Sequence, residues 1–298
     1  MKKMLFFVNP NAGHAEIRNH LMEVLQVFTA GGYEVTVHPT SGPKDLTRQI
    51  AVRAEEYDLI VCTGGDGTLN EAVSGLMQLP EQKRPMLGYI PSGTTNDVAS
   101  SLGLSHDVVT AAQDIVRGVP FRMDVGSFSP DRWFSYVAAF GLFTDVPYDT
   151  PQQDKRIFGS LAYFFNGVRA LSDLKPIRVR VTCDGMTQEL DVLDGLVLST
   201  TSVAGFHPTK DFGISMNDGK FEVVLVRSFK NLLDFNAAAA CLLREELPEP
   251  YFVTFKTDRV SFEFDEPVAW TLDGEYGGSV MQTEACNHQC ALQIIVPK

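Results

Sequence analysis

The segment from Gly64 to Glu71, with the sequence GGDGTLNE, surrounds a single aspartate with three glycines. Glycine lets the backbone turn sharply and lets its N–H groups approach a ligand without a Cβ in the way. Thr68 and Glu71 have capping-box spacing, which predicts a helix start whose open N–H groups and positive dipole end suit phosphate. Because phosphate repels a carboxylate unless a cation mediates, Asp66 indicates a nucleotide bound with Mg²⁺.

Alternating strands and helices would position this segment. The pattern predicts strands at 5–9, 33–39, 57–62 and 86–90, and helices at 17–29, 44–55, 69–77 and from Val98 onward. Such alternation is typical of a doubly wound α/β domain, in which a mostly parallel sheet is covered on both faces. The turns at 9–13, 64–68 and 91–97 then fall at the carboxyl ends of strands, where ligands collect in such sheets.

A different pattern begins near residue 121. Strand-like runs recur at 123–127, 135–140, 177–183, 193–199, 221–226, 259–264 and 292–296, with helical spacing at 159–171 and 232–243. This predicts a second, mainly antiparallel β-sandwich domain. We therefore expect a nucleotide-binding domain over 1–122 and a β domain over 123–298, whose last strand is a candidate to return to the first domain.

Composition argues against several classes of function. The net charge of −12 disfavours nucleic acid as a partner, because phosphate neutralisation dominates that affinity. No apolar run approaches the roughly 18 residues that a membrane span needs. The five cysteines fit reduced thiols in a cytoplasmic protein. The segment 286–290, CNHQC, lacks a second ligand pair at zinc-site spacing, so a turn between two strands is favoured over a metal site.

Three turns occur in order along the chain: Asn9-Pro10-x-Ala12-Gly13, Gly64 to Glu71, and Pro91-x-Gly93-Thr94-x-Asn96-Asp97-x-Ala99. Further motifs follow at 124–126, 155–163, 202–206, 218–221 and 273–275. Together they resemble the catalytic domain of the diacylglycerol and sphingosine kinase family. The resemblance spans nearly the whole chain and is greatest to the soluble bacterial diacylglycerol kinases.

The resemblance implies an ATP-dependent lipid kinase that uses Mg²⁺ and phosphorylates diacylglycerol or a related lipid alcohol. It assigns catalytic roles to Asp273 as general base, to Glu275 close by, and to Asp66, which orders the catalytic Mg²⁺. The implied nucleotide-binding residues are Asn9, Pro10, Gly13, Thr40, Gly64, Gly65, Asp66, Gly67, Thr68, Glu71, Gly93, Thr94 and Asn96. The implied metal-binding residues are Asp66, Asp97 and Asp124 in a catalytic network, and Asp218 near a structural Mg²⁺.

The implied partner is a membrane lipid, which a cytoplasmic protein would reach by transient contact with the membrane surface. A homodimer is a candidate assembly. Lys155, Arg156 and Arg169 could form a basic patch for this contact, although a solvated helix face is the simpler explanation.

Several alternatives stay open. Thr94 and Asp97 have capping spacing and could serve only the helix start at Val98. The Asp-Gly turn at Asp218 needs no metal to be explained. The aspartate–glycine loop alone also occurs in phosphofructokinases and NAD kinases, which would make the chain a soluble-metabolite kinase. His14 stands where the family often has Lys or Arg, which leaves room for a catalytically weak lipid- or nucleotide-binding protein.

Overall fold

The computed structural model describes residues 1–10, 16–141, 175–200, 215–229 and 231–298. Within them the chain forms two compact units: Met1–Val125, Trp133–Ser135 and Gln289–Lys298 make the first, and Gly126–Arg132 and Tyr136–His288 the second. The C-terminal residues therefore belong to the same unit as the N-terminal ones. The predicted helix at 159–171, the segments 155–163 and 202–206, and the residues Gly13, His14, Lys155, Arg156 and Arg169 lie outside the described residues.

The first unit is built on a parallel sheet. Its strands are β1 (Lys2–Val8), β2 (Tyr33–Pro39), β3 (Leu59–Gly64) and β4 (Met86–Pro91), in the order β2-β1-β3-β4. Each neighbouring pair runs parallel. β3 is buried along its whole length, as is typical of parallel strands covered on both faces. The strand order reverses between β1 and β3, which is where doubly wound sheets open a crevice for ligands.

Helices cover both faces of this sheet. They are α1 (Glu16–Ala30), α2 (Asp45–Arg53), α3 (Asp66–Met77), α4 (Asp97–Leu102) and α5 (Val108–Arg117). α1 and α5 share a core with β1 and β3, in which the rings of Phe6 and Phe28 meet edge to face at 5.4 Å. α2 packs against α3 so closely that a Cβ on Gly75 would lie 2.8 Å from the Cβ of Ile50. Neighbouring strand residues such as Leu5 and Phe6 point to opposite faces, and both are fully buried.

Two predicted helix caps are wrong. α3 begins at Asp66 with Gly65 as its N-cap, and no side chain caps it. Thr68 therefore lies inside the helix, and Thr68 and Glu71 do not form a capping box. α4 begins at Asp97 with Asn96 at the N-cap position, so Thr94 does not cap it either. In both cases the helix begins earlier than predicted, at Asp66 instead of Leu69 and at Asp97 instead of Val98.

The second unit is mainly antiparallel. The strands from the domain junction onward are β5 (Val119–Ser129), β6 (Arg132–Phe134), β7 (Val137–Gly141), β8 (Ile177–Cys183), β9 (Met186–Leu198), β10 (Phe221–Arg227), β11 (Phe252–Thr257), β12 (Arg259–Leu272) and β13 (Glu275–Val296), with α6 (Leu232–Leu243) after β10. The hydrogen-bonded order within the second unit is β11-β10-β9-β7-β12-β13, and β8 pairs with both β9 and β12. The predicted strand 177–183 and helix 232–243 are confirmed with the same bounds.

An aromatic cluster forms part of the core of the second unit. Trp270 on β12 is fully buried, and its ring centroid lies 4.7 Å from that of Phe140 and 4.9 Å from that of Phe128. Phe262 and Phe264, on the same strand, lie 5.3 and 6.2 Å from Trp270. Tilted and edge-to-face pairs of this kind each add about 0.5–1.5 kcal/mol beyond the area that they bury.

The segment 286–290 lies within β13, so the prediction of a turn between two strands is wrong. β13 continues through it with one irregular residue, Cys290, whose φ is 54°. The five cysteines are free thiols. Across the described ranges, no group of three or more His, Cys, Asp or Glu side chains is placed to hold a metal ion. None of the described helices combines the length and apolar character that crossing a membrane requires.

Candidate active site

Two glycine-bearing turns lie against each other at the carboxyl ends of β3 and β4. A Cβ on Gly93 would lie 2.5 Å from the Cα of Gly65, and one on Gly64 would overlap the hydroxyl of Thr68. This approach requires glycine, because no side chain fits between the two backbones. Gly67 follows in the first turn of α3, where the helix presents open N–H groups and a positive dipole end.

The turns after β1 and β2 join the same edge of the sheet. Asn9 donates a hydrogen bond from Nδ2 to Oγ1 of Thr68 at 3.1 Å. The N–H of Thr40 donates to the carbonyl of Val8 at 2.9 Å, and the carbonyl of Pro10 accepts from an arginine of α1 at 2.6 Å. The structure therefore brings Asn9, Thr40 and Thr68 to the strand ends that also carry the glycine turns.

Asn96 links the second turn to Asp66. Its N–H donates to Oδ2 of Asp66 at 2.9 Å. Asn96 is buried and has a φ of 53°, in the left-handed region that Asn tolerates better than most residues. Its side chain folds back onto Gly93, with Oδ1 accepting from the N–H at 3.0 Å and Nδ2 donating to the carbonyl at 2.9 Å. Asp97, also buried, follows as the first residue of α4, and Thr94 lies exposed beside Gly93.

The buried Tyr89 on β4 lies beneath both turns, and the sequence pattern did not single it out. Its hydroxyl donates towards the carbonyl of Gly64 at 3.0 Å and Oδ1 of Asn96 at 3.2 Å. Burial, followed by the charges of Asp66, Cys62 and Asp97, raises the pKa of Tyr89 well above its ordinary value. The phenol therefore keeps its proton and serves as a hydrogen-bond donor. The only sequence signal for Tyr89 is that a residue with a hydroxyl group lies two positions before the turn at Pro91.

The carboxylate of Glu71 accepts a hydrogen bond from the protein backbone. Its Oε1 accepts the N–H of Lys44 at 2.8 Å, and its backbone carbonyl accepts Oγ1 of Thr47 at 2.9 Å. Lys44 precedes α2 and has a left-handed φ of 62°. These contacts place Glu71 against the start of α2, on the side of α3 that faces this helix.

A polar cluster closes the turn between β2 and α2. Asp45 is buried, and its Oδ2 accepts the N–H of Ser41 at 2.9 Å and lies 3.3 Å from Nε2 of His38. Its Oδ1 accepts from Arg48 at 2.8 Å. The hydrogen bond from Ser41 is the largest of several that hold the pKa of Asp45 well below its ordinary value, against the opposing effect of burial. The cluster fixes the segment that carries Thr40.

The remaining predicted metal ligands, Asp124 and Asp218, have protein partners. Asp124 on β5 is buried, and its Oδ1 accepts the N–H of Cys290 at 2.7 Å. Asp218 lies in the turn before β10, where Oδ1 accepts the N–H of Lys220 at 3.0 Å. Its Oδ2 is 3.8 Å from the ammonium of Lys256. The ammonium of Lys256 is therefore near the carboxylate of Asp218, although it lies closer to Glu222, at 2.8 Å.

The second unit places Asp273 in the hairpin between β12 and β13. Asp273 and Gly274 have φ values of 50° and 82°, and Leu272 pairs with Glu275 across the turn, which is a two-residue hairpin with positive φ at both positions. The Asp273 side chain is buried, and its Oδ1 accepts the N–H groups of Tyr136 and Val137 at 3.0 and 3.1 Å. The carboxylate is thereby fixed on the backbone at the start of β7.

A second Asp-Gly hairpin shows that the turn alone does not require this burial. Asp184 and Gly185 connect β8 and β9 with φ values of 49° and 76°, and Asp184 is exposed. The same turn chemistry therefore leaves one aspartate in solvent and folds the other onto the protein. Glu275, two residues after Asp273, is exposed.

Similarity to known proteins decides the family. A family model described as "Diacylglycerol kinase catalytic domain" matches residues 3–128. The "Diacylglycerol kinase" of Bacillus subtilis (strain 168) is 36% identical over 303 aligned residues, which cover 100% of this chain and 97% of the relative. The chain belongs to the diacylglycerol kinase family. The "Diacylglycerol kinase" of Staphylococcus carnosus (strain TM300) agrees, with 31% identity over 100% of this chain and 96% of the relative.

Solved structures share the fold of this diacylglycerol kinase family member. The crystal structure of a diacylglycerol kinase from Bacillus anthracis str. Sterne aligns with a TM-score of 0.80 over 99% of this chain and 97% of that chain. At the 24% sequence identity of this pair, the likeness supports the fold alone. The prediction of an α/β fold is thereby confirmed, and the structure builds this fold on an extensive sheet.

Family membership confirms the resemblance drawn from the three turns and the prediction of an ATP-dependent lipid kinase that uses an alcohol group as acceptor. It does not favour the alternative of a soluble-metabolite kinase or of a catalytically weak binding protein. ATP follows from the family as the phosphate donor.

Proposed function

We propose that this family member transfers the γ-phosphoryl group of ATP to the hydroxyl of diacylglycerol or a related lipid alcohol, giving phosphatidic acid or its analogue. The observation that carries the donor half of this proposal is the packing of Gly93 against Gly65 beside the N-terminus of α3. It brings both turns to the start of α3, where a helix has N–H groups without intrahelical partners and a positive dipole end, which is the environment that phosphate groups favour.

The donor site extends over the strand ends of the first unit. We assign the triphosphate to the backbone at 64–68 and to Gly93, Thr94 and Asn96. Asn9, Pro10, Gly13 and Thr40 would complete the site from the turns after β1 and β2. Glu71 would act indirectly, because its carboxylate holds the turn before α2 at Lys44.

The residues at the meeting point of the two turns fit Mg²⁺. Asp66 and Asp97 supply two carboxylates whose charges both act on the hydroxyl of the buried Tyr89. Mg²⁺ is commonly held by one or two carboxylates together with substrate phosphates and water, so a third carboxylate in the same shell is not needed. We propose that Asp66, Asp97 and, further out, Asp124 hold the ion, which would neutralise charge on the transferring phosphoryl group.

Asp273 is the proposed general base. The lipid hydroxyl oxygen forms a bond to the γ-phosphorus, the bond from this phosphorus to the β–γ bridging oxygen breaks, and the hydroxyl proton passes to the Asp273 carboxylate while ADP leaves. Two backbone N–H donors fix this carboxylate, so its orientation is set before substrate binds. Glu275 would assist from the same hairpin.

We also propose how the chain divides into domains and where the lipid binds. We assign residues 1–122 to ATP binding and 123–298 to a lipid-binding β-sandwich whose last strand returns to the first domain. Acyl chains would enter the apolar interior of the β domain. The protein would act in the cytoplasm, contact the membrane surface transiently and assemble as a homodimer, with no role in nucleic-acid binding.

A substrate panel tests this function. The protein is incubated with γ-labelled ATP, Mg²⁺ and mixed micelles that contain diacylglycerol, phosphatidylglycerol or a sphingoid base, with NAD and a sugar phosphate in parallel. We expect label in the lipid fraction, greatest with diacylglycerol. Transfer to NAD or the sugar phosphate, or ATP binding without transfer to any lipid, would overturn the proposal.

A further inference from the structure

One tyrosine hydroxyl lies between the two turns that we assign to phosphate binding. Tyr89 is 1% exposed, and its oxygen is 3.0 Å from the carbonyl of Gly64 and 3.2 Å from Oδ1 of Asn96. Gly64 ends β3, while Asn96 follows β4 and precedes α4. The hydroxyl thus reaches one atom of each turn from within the sheet.

The neighbours of Asn96 fix the direction of these hydrogen bonds. The N–H of Gly93 donates to one end of the Asn96 amide, and the other end donates to the Gly93 carbonyl, so the atom facing Tyr89 is the acceptor Oδ1. The Gly64 carbonyl is also an acceptor. Tyr89 is therefore the donor to both, and its single proton lies between two acceptors that belong to different turns.

Both acceptors have another donor within the first unit. The N–H of Ser92 donates to the Gly64 carbonyl at 2.8 Å, and the N–H of Gly93 donates to Oδ1 of Asn96 at 3.0 Å. Loss of the phenol hydroxyl would therefore leave neither acceptor buried without a hydrogen bond. Its removal should change the spacing of the turns more than the stability of the unit.

We propose that Tyr89 is a positioning residue that sets the distance between the two turns and thereby the affinity for ATP. It acts through Gly64 and Asn96 and does not itself touch the nucleotide. Asn96 also holds Asp66 through its N–H at 2.9 Å, so the same contact sets the position of this carboxylate. This inference rests on the proposed ATP site and adds to it a residue that works from the core.

The test is Tyr89→Phe, which keeps the ring and removes only the oxygen. We expect the KM for ATP, and the Kd of a fluorescent ATP analogue measured without lipid, to rise about three- to tenfold, because the free energy of the lost hydrogen bond between the turns sets the scale of what their displacement costs nucleotide binding. The KM for diacylglycerol and the unfolding temperature should change little. Tyr33→Phe is the matched control, because Tyr33 is a buried tyrosine of the same sheet that packs in the core of α1 and α5.

The two substrates separate the possible outcomes. An unchanged KM and Kd for the nucleotide in Tyr89→Phe, with wild-type turnover intact, would overturn the role of Tyr89 and leave the kinase function standing. Equal losses for both substrates together with a lower unfolding temperature would assign Tyr89 a purely structural role and also overturn it. Failure of the wild-type protein to bind the ATP analogue would instead refute the donor site itself.

Discussion

Replacing Asp273 with asparagine should remove proton transfer while preserving the fold. In Asp273→Asn the amide oxygen can still accept the N–H groups of Tyr136 and Val137, which lie 3.0 and 3.1 Å from Oδ1. Asparagine also tolerates the φ of 50° at this position. The variant therefore changes the basicity of the group and little else.

The size of the effect follows from these contacts. Loss of a general base typically lowers turnover by about 10²–10⁴-fold. Asp273→Ala would in addition leave two buried N–H groups without this acceptor, at about 1–3 kcal/mol each, and place alanine in a left-handed turn at roughly 1–2 kcal/mol. A loss on the order of 3–8 kcal/mol is a large part of ordinary domain stability, so alanine cannot separate chemistry from folding.

The assay is the initial rate of ADP formation with diacylglycerol in mixed micelles, alongside nucleotide affinity and thermal unfolding. We expect Asp273→Asn to lower kcat by at least about 10²-fold with affinity and unfolding temperature close to wild type. Asp184→Asn is the control, since Asp184 occupies the same type of turn but is exposed, and it should leave the rate unchanged. Turnover within a few-fold of wild type in Asp273→Asn, or a greater loss in Glu275→Gln, would refute the assignment of the base.

Three further outcomes are expected. Gly93→Ala should raise the KM for ATP at least about tenfold without a similar rise for lipid, because its Cβ would fall 2.5 Å from a Cα of the facing turn; an unchanged KM would show that the turns need not touch. The pKa of Asp45 is lowered chiefly by the N–H of Ser41, so its ionised form stabilises the fold above the ordinary carboxyl pKa of about 3.9, and this stabilisation is lost as pH falls. The unfolding temperature of Asp45→Asn should therefore lie below wild type at pH 7, and the difference should begin to shrink below pH about 3.9 and go on shrinking as the pH falls toward the lowered pKa of Asp45; a constant difference would contradict this. Because Lys256 lies 3.8 Å from Asp218, EDTA should leave the unfolding temperature within about 2 °C, whereas a larger drop that Asp218→Asn abolishes would assign a structural metal to this turn.

The sequence correctly predicted those strands and turns whose patterns depend only on neighbouring residues. The strand at 33–39 alternates and is followed by a break, and β2 has these bounds. The Asp273-Gly274 pair favours positive φ at both positions, and the structure forms that hairpin. The glycines around Asp66 indicated a close approach of the backbone to a ligand, although not that Gly65 would also lie against Gly93 of the second turn.

Contacts between residues far apart in the chain determine the features that the sequence pattern predicted wrongly or missed. Thr68 had the spacing of a cap, but its hydroxyl accepts from Asn9, 59 residues away, and α3 begins at Asp66 instead. Tyr89 reads as one more apolar strand residue until Asn96 and Gly64 are placed beside its hydroxyl. Asn9 lies 59 residues from Thr68, and Gly64 lies 25 residues from Tyr89, so no local window contains either pair.

Backbone N–H groups hold the two acids that divide the proposed chemistry. Asp66 accepts from Asn96, and Asp273 accepts from Tyr136 and Val137. Each arrangement includes a left-handed residue, Asn96 in one case and Asp273 in the other, which costs about 1–2 kcal/mol for most side chains. A backbone donor fixes a carboxylate without placing a competing positive charge beside it. The carboxylate at 66 can then meet a metal ion and the one at 273 a proton. Because the left-handed turn at Asn96 presents its N–H to Asp66, substitution of Asn96 should disturb the metal site as strongly as loss of Asp66.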